Sequence, residues 1–238
     1  MPTDIDFKEL RVAITGGTSG LGLALVRLFV ARGARVAFIA RTARAVERIA
    51  QETGACGIVG DIGRKEDIYP VALQITGNLG GLNVLINNAS TLGAVPLPAI
   101  AVLARETFFS LFEVNVFAPI HLTQQALTLM ARSGVSTIVN VTSDAGVEAY
   151  PAWGGYGATK AALEHVSRVL AAELEGSSTR VLVFDPGDMN TAMHRDAVPD
   201  ADPAELRDPA DSARALLRAI TDMKGGFERV RASDLVPA

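Results

Sequence analysis

Short apolar runs rich in β-branched residues recur along this chain, and helix-patterned segments fill the intervals between them. The runs are RVAIT (11–15), RVAFIA (35–40), CGIVG (56–60), NVLIN (83–87), TIVNVT (137–142) and RVLVFD (180–185), with a weaker seventh near FERVRA (227–232). A strand with one wet face alternates apolar and polar residues. These runs do not alternate, which marks parallel strands covered on both faces. Helical patterns fall near 20–32, 42–53, 64–79, 106–132, 154–175 and 209–223. Strand–helix alternation of this kind predicts an α/β fold: a doubly wound, Rossmann-like parallel sheet of six or seven strands with helices on both faces. No shift in composition marks a linker, so residues 1–238 read as one domain. Two segments exceed ordinary loop length, 88–105 and 186–208. Both follow strands and would stand at the carboxyl edge of the sheet, where open α/β sheets bind ligands. The second reads as a substrate lid.

The bulk chemistry narrows the function. Of 238 residues 49% are hydrophobic, enough for a full core. A formal net charge of −4 without a basic block argues against nucleic acid as a partner. One cysteine, Cys56, excludes an internal disulfide and a cysteine metal cluster, and fits a reducing, cytoplasmic setting. The three histidines, His121, His165 and His194, are scattered, so no metal site is expected. The N-terminal MPTDIDFKEL is acidic and unlike a signal peptide. The most apolar early run carries Arg27, Arg32 and Arg35, which makes it a helix and then a strand rather than a membrane span.

TGGTSGLG (15–22) follows the first strand and opens the first helix. Gly16 permits a tight turn, Gly20 lets backbone approach a pyrophosphate, and Gly22 lets helix and strand pack closely. The helix then presents free N–H groups and its positive dipole end to phosphate. No Gly-Lys-Ser/Thr follows, so a nucleotide-triphosphate loop is not expected. An acid at the end of the second strand would bind the adenosine ribose 2′-OH. Here the strand ends Ala40-Arg41-Thr42, without a carboxylate, and Arg41 can pair with a 2′-phosphate. The reading is NADP rather than NAD.

YGATK places Tyr156 and Lys160 four residues apart ahead of the helix-forming AALEHVSRVLAAELE. On a helix the two share a face. A cation beside a phenol favours the phenolate and brings its pKa down from about 10, giving a proton donor or acceptor usable near neutral pH. Taken alone, the same spacing also describes an ordinary surface pair.

Glycine loop, Tyr-x-x-x-Lys and the Asn pair occur together in order, and the chain resembles the short-chain dehydrogenase/reductase family in its compact single-domain branch, from Arg11 to about Met223. TGGTSGLG resembles the family's cofactor loop, GDI puts Asp61 and Ile62 at the adenine, and NNAS (87–90) resembles Asn-Asn-Ala-Gly with Ser90 in place of Gly. Asn115 in FEVNVFAP, Ser143 in NVTSDAG, and Pro186, Gly187 and Thr191 in DPGDMNTAM match further family positions. The resemblance implies an NADP-dependent oxidoreductase acting on a carbonyl/alcohol pair. Tyr156 would be the general acid or base. Lys160 would lower its pKa and hold the nicotinamide ribose, Ser143 would bond the substrate oxygen, and Asn115 would position a water. The implied cofactor set is Gly16, Thr18, Ser19, Gly20, Leu21, Gly22, Arg41, Asp61, Ile62, Asn88, Ala89, Tyr156, Lys160, Pro186, Gly187, Met189 and Thr191. A homodimer or homotetramer is expected through the small-residue helix after Tyr156. The ending ERVRASDLVPA departs from the family pattern and puts the last strand in doubt.

Val147, Trp153, Met189 and Met193 are the expected apolar walls of a substrate pocket, for a mainly apolar small molecule; His194 and Arg195 on the lid could meet an acidic substrate or only solvent, and solvent is the favoured reading. A dinucleotide sensor without turnover would have no need of Ser143, Tyr156 and Lys160 together. A sugar epimerase or dehydratase would need a larger substrate domain.

Overall fold

The computed structural model describes residues 6–235, so the first half of the acidic N-terminal segment and the final Val-Pro-Ala lie outside the described residues. Seven strands form one parallel sheet: β1 (Arg11–Thr15), β2 (Arg35–Ala40), β3 (Cys56–Val59), β4 (Val84–Asn87), β5 (Ser136–Val141), β6 (Thr179–Asp185) and β7 (Phe227–Arg231). Their order is β3-β2-β1-β4-β5-β6-β7, and every neighbouring pair is parallel. Each expected strand lies within a residue or so of its run, because a continuously apolar run has no dry alternative to the sheet centre: Val12, Ala13 and Ile14 are fully buried. The doubted seventh strand is formed, pairing Val181 with Phe227 through Asp185 with Arg231.

Helices α1 (Gly20–Ala31), α2 (Ala43–Thr53), α3 (Lys65–Leu79), α4 (Arg105–Phe112), α5 (Ala118–Ala131), α6 (Gly154–Glu173), α7 (Ala192–Ala197) and α8 (Pro209–Asp222) complete the fold. One face of the sheet is covered by α1, α2 and α8 through Leu25, Phe29, Ile49, Leu216 and Ile220. The other is covered by α3, α5 and α6 through Ile68, Ile75, Leu122 and Ala126, with Leu170 packed at its margin. Phe29 is fully buried; truncating such a ring to alanine costs about 3–5 kcal/mol.

Two segments differ from the expected pattern. The single helix expected over 106–132 is interrupted by a π turn, Glu113–Phe117, between α4 and α5. Pro119, four residues after Asn115, has no N–H to give the Asn115 carbonyl, so the α-helical ladder cannot run straight through. The 186–208 segment is more ordered than a plain loop. Thr191 Oγ1 accepts the His194 N–H at 3.2 Å and caps α7. Arg207 N donates to Asp188 O and Asn190 N to Arg207 O, both at 2.9 Å, closing the base of the lid.

Candidate active site

The strand order reverses between β1 and β4, and the crevice there opens into a cavity of about 410 Å³. Gly16 turns the chain off β1 with φ +72°, and Gly16 N and Gly17 N donate to Ile39 O. A Cβ on Gly22 would overlap the Gly16 carbonyl, so helix and loop meet backbone to backbone there. Ser19 caps α1 without a side-chain hydrogen bond, and the first turn of α1 holds no acid. The N–H groups that open the helix are therefore free for an anion. Thr18, Ser19, Gly20 and Leu21 line the cavity beside them.

Further along, Arg41 and Thr42 line the cavity at the end of β2, where Arg41 is exposed and, among the described residues, forms no ion pair. Asp61 and Ile62 line it after β3, and Asp61 Oδ1 accepts the Gly63 N–H at 3.0 Å. Asn88 Nδ2 donates to Thr15 O at 2.8 Å, while Asn88 N and Ala89 N both donate to the buried Thr15 Oγ1 at 3.0 Å. The ends of β1 and β4 are thereby stitched together under the cavity floor. Pro186, Met189 and Thr191 close the opposite wall, and Gly187 N donates to Asp185 Oδ1 at 3.0 Å.

Tyr156 and Lys160 occupy the first two turns of α6, as their spacing predicts, and both line the same cavity. Tyr156 is 8% exposed and Lys160 2%. Lys160 Nζ donates to Val141 O at 2.9 Å and stands 5.3 Å from the centre of the Tyr156 ring. The expected lowering of the phenol pKa by Lys160 is not what the folded chain does on its own. Burial pushes Tyr156 up to about 12, opposed by hydrogen bonding from Ser90 and reinforced by Asp185 and Asp144. Burial also brings Lys160 down to about 8, against the pull of Glu164. Desolvation wins because both groups are shut away from water and neither carries a partner of opposite charge in contact.

Asn115 and Ser143 stand behind this pair rather than on the cavity wall. Asn115 Oδ1 accepts from Ser90 Oγ at 3.0 Å and Thr91 N at 2.9 Å; its Nδ2 donates to Thr91 O at 3.0 Å and Thr159 Oγ1 at 3.1 Å. That carboxamide is filled by protein groups, so its side chain anchors α6 to the β4 loop. Ser143 Oγ donates to Asp144 Oδ1 at 2.9 Å and accepts Ala145 N at 3.2 Å, and Tyr150 donates to the other Asp144 oxygen at 2.8 Å. A buried carboxylate underlies the site: Glu164 accepts from Thr142 Oγ1 at 2.8 Å and from Arg229 Nε at 3.0 Å.

At the mouth, Trp153 meets Tyr156 edge-on at 5.7 Å, with Leu92, Leu97 and Ala197 around them. Met189 and Met193 line the cavity between β1 and β4 instead, and Val147 is 56% exposed, so neither methionine nor the valine belongs to this apolar cluster. His194 departs from its expected solvent position: its side chain is 13% exposed and Nε2 lies 3.5 Å from Asp188 Oδ1. Arg195 donates to Asn190 on the exposed surface at 2.9 Å. Sequence reasoning missed Thr91, Ser110 and Val114 as cavity residues, and did not count Ser90 among the site residues. The adjacency of Ser90 and Thr91 to Asn88 was the available signal.

A family model described as short chain dehydrogenase matches residues 11–202. Dehydrogenase/reductase SDR family member 7B of Bos taurus is 31% identical over 233 residues, covering 90% of this chain and 71% of that protein. Serine 3-dehydrogenase of Agrobacterium fabrum is 34% identical over 182 residues, covering 74% and 70%. Among solved structures, a short chain dehydrogenase from Shigella flexneri complexed with NADP superposes with a TM-score of 0.82 at 27% identity, covering 93% of this chain and 95% of that one.

Proposed function

The chain belongs to the short-chain dehydrogenase/reductase family, and on that premise we propose that it is an NADP-dependent oxidoreductase acting on a mainly apolar carbonyl/alcohol pair, within one domain spanning 1–238. The observation that carries this reading is that Tyr156 and Lys160 share one cavity with the glycine loop and the open N-terminus of α1. The residues present fit a nicotinamide dinucleotide: glycine backbone and free N–H groups suit its pyrophosphate, Asp61 and Ile62 its adenine, and Arg41 a 2′-phosphate. When bound, that cofactor supplies or takes the hydride.

The chain's own residues manage orientation and the proton. In reduction, Tyr156 gives its phenolic proton to the carbonyl oxygen; in oxidation it takes the alcohol proton. Lys160 holds the ribose on the floor of the cavity. Ser143 turns from Asp144 to the substrate oxygen and stabilises charge developing there. Trp153, Leu92, Leu97 and Ala197 provide an apolar seat for the rest of the substrate. Turnover is favoured over a sensor role because Ser143, Tyr156 and Lys160 are all retained. A homo-oligomer is supported by exposed Phe109, Phe117 and Val169 on α4, the π turn and α6. The test is a screen of carbonyl compounds with NADPH, following loss of reduced-cofactor absorbance, with Tyr156→Phe as control. A substrate consumed equally by both proteins would remove Tyr156 from the mechanism; no consumption across aldehydes, ketones and diones would count against turnover.

A further inference from the structure

Glu164 follows Lys160 by one helical turn on α6, so the two side chains share a face. Both are buried: Lys160 is 2% exposed and Glu164 3%. The end of β5 receives them on consecutive residues. Lys160 Nζ donates to Val141 O at 2.9 Å, and Thr142 Oγ1 donates to Glu164 Oε1 at 2.8 Å. Helix spacing and strand contacts thus bring ammonium and carboxylate together by two separate routes. At the other carboxylate oxygen, Arg229 Nε of β7 donates to Oε2 at 3.0 Å, and Arg168 stands 3.6 Å away at the surface.

A buried ammonium has lost the water that would balance its charge. Lys160 rests on a neutral carbonyl and, among the described residues, forms no ion pair. A buried Glu–Arg pair adds little stability over apolar packing. What this pair supplies is a fixed negative charge one turn from Lys160. Residues four apart on a helix have Cβ atoms about 5–6 Å from each other, and opposite charges at that range attract strongly in a protein interior. The pull of Glu164 on the Lys160 pKa, upward against burial, agrees with this placement. We propose that Glu164 is a positioning residue for Lys160: its carboxylate, pinned between Thr142 and Arg229, is the buried counter-charge that keeps the ammonium charged and seated on the Val141 carbonyl.

The other charged and titratable groups around the pair are Tyr156 and Arg168 on α6, Asp144 in the turn after β5, Asp185 at the end of β6, and Arg229 and Arg231 on β7. All of them stay in place when Glu164 alone is changed. The inference rests on Lys160 being the active-site ammonium, yet its first test needs neither substrate nor cofactor. Lysine labelled with ¹³C at Cε is incorporated at the four lysines, Lys8, Lys65, Lys160 and Lys224. The Lys160 resonance, assigned by its absence in Lys160→Met, is followed against pH in wild type, Glu164→Gln and Glu164→Asp. Glutamine keeps the shape and an accepting oxygen but not the charge. It should weaken the proton affinity of Lys160 by about three- to thirtyfold, a midpoint roughly 0.5–1.5 pH units lower, and aspartate should restore most of it. The double variant Glu164→Gln, Arg229→Gln removes both members of the buried pair and serves if the single one does not fold. Its midpoint should move the same way by less, since Arg229 is held at the carboxylate oxygen that Thr142 leaves free. A midpoint equal to that of wild type in the glutamine variants would overturn the proposal, as would a fall that aspartate fails to reverse. NADPH affinity of Glu164→Gln should match wild type near pH 6, where Lys160 is charged in both, and fall below it near pH 8. Equal affinities at both pH values, beside a shifted midpoint, would count against the place of Lys160 at the ribose and leave the lysine titration standing.

Discussion

Lys160→Met should stabilise the cofactor-free protein while removing its activity, and the gain should depend on pH. Lys160 is 2% exposed, and burial draws its pKa from 10.5 to about 8. At about 1.36 kcal/mol per tenfold change in proton affinity, that drop means the folded state carries a cost of about 3 kcal/mol near neutral pH, where lysine is charged both folded and unfolded. The folded state binds fewer protons than the unfolded one between about 8 and 10.5, so this cost fades as pH rises through that window. Near pH 9.5 about half of it is left. Methionine removes the charge but also forfeits the Nζ bond to Val141 O, worth about 1 kcal/mol. The net expectation is a gain of about 2 kcal/mol near pH 7 that falls well below about 1 kcal/mol near pH 9.5. Tyr156 does not blur the window, because its raised pKa alters stability only between 10 and about 12. Urea unfolding followed through Trp153, the only tryptophan, reads both values. A difference between variant and wild type that is the same at both pH values would refute the assignment of the cost to a buried ammonium.

Tyr156→Phe should lower turnover by about 10²–10⁴-fold on a confirmed substrate and leave NADPH affinity nearly unchanged, measured by steady-state kinetics and fluorescence titration. Arg41→Ala should erase a roughly tenfold preference for NADPH over NADH, since a charge-assisted phosphate contact is worth about 1.5–3 kcal/mol; equal affinities in wild type would defeat this. Arg229→Met strips Glu164, 3% exposed, of its closest cation, and should cost about 3 kcal/mol of unfolding free energy by urea denaturation. Light scattering at micromolar concentration should report a dimer or tetramer, and a monomer throughout would exclude the expected assembly.

Much of the fold could be read from the sequence because its signals are local. A continuously apolar run such as RVLVFD specifies a covered strand wherever it lies, and a glycine loop between strand and helix specifies the crevice beside it. The π turn was also written locally, in the four-residue step from Asn115 to Pro119, but a long amphipathic pattern masks one missing N–H. Contacts across the fold were not legible. Nothing in FERVR says that Arg229 reaches Glu164, 65 residues earlier, and nothing in NNAS says that Ser90 meets Asn115. The balance of charge at Tyr156 is hidden for the same reason: spacing reveals that Lys160 is near, whereas the burial that raises the phenol's pKa emerges only when the chain is packed.

The backbone clasp between Met189 and Arg207 has a bearing on how such a protein acquires new substrates. The residues enclosed by it, including α7, leave and return at one point, while Ser143, Tyr156, Lys160 and Asn115 are all carried on other segments. The enclosed stretch is therefore an exchangeable cassette. Apart from Thr191 on the cavity wall and Ala197 beside Tyr156, its length and side chains can be rewritten, by natural drift or by grafting from a relative, without shifting the proton-handling groups. Loop closure adds only about 0.6 kcal/mol for each doubling of length, so the scaffold tolerates such replacements at little cost in stability.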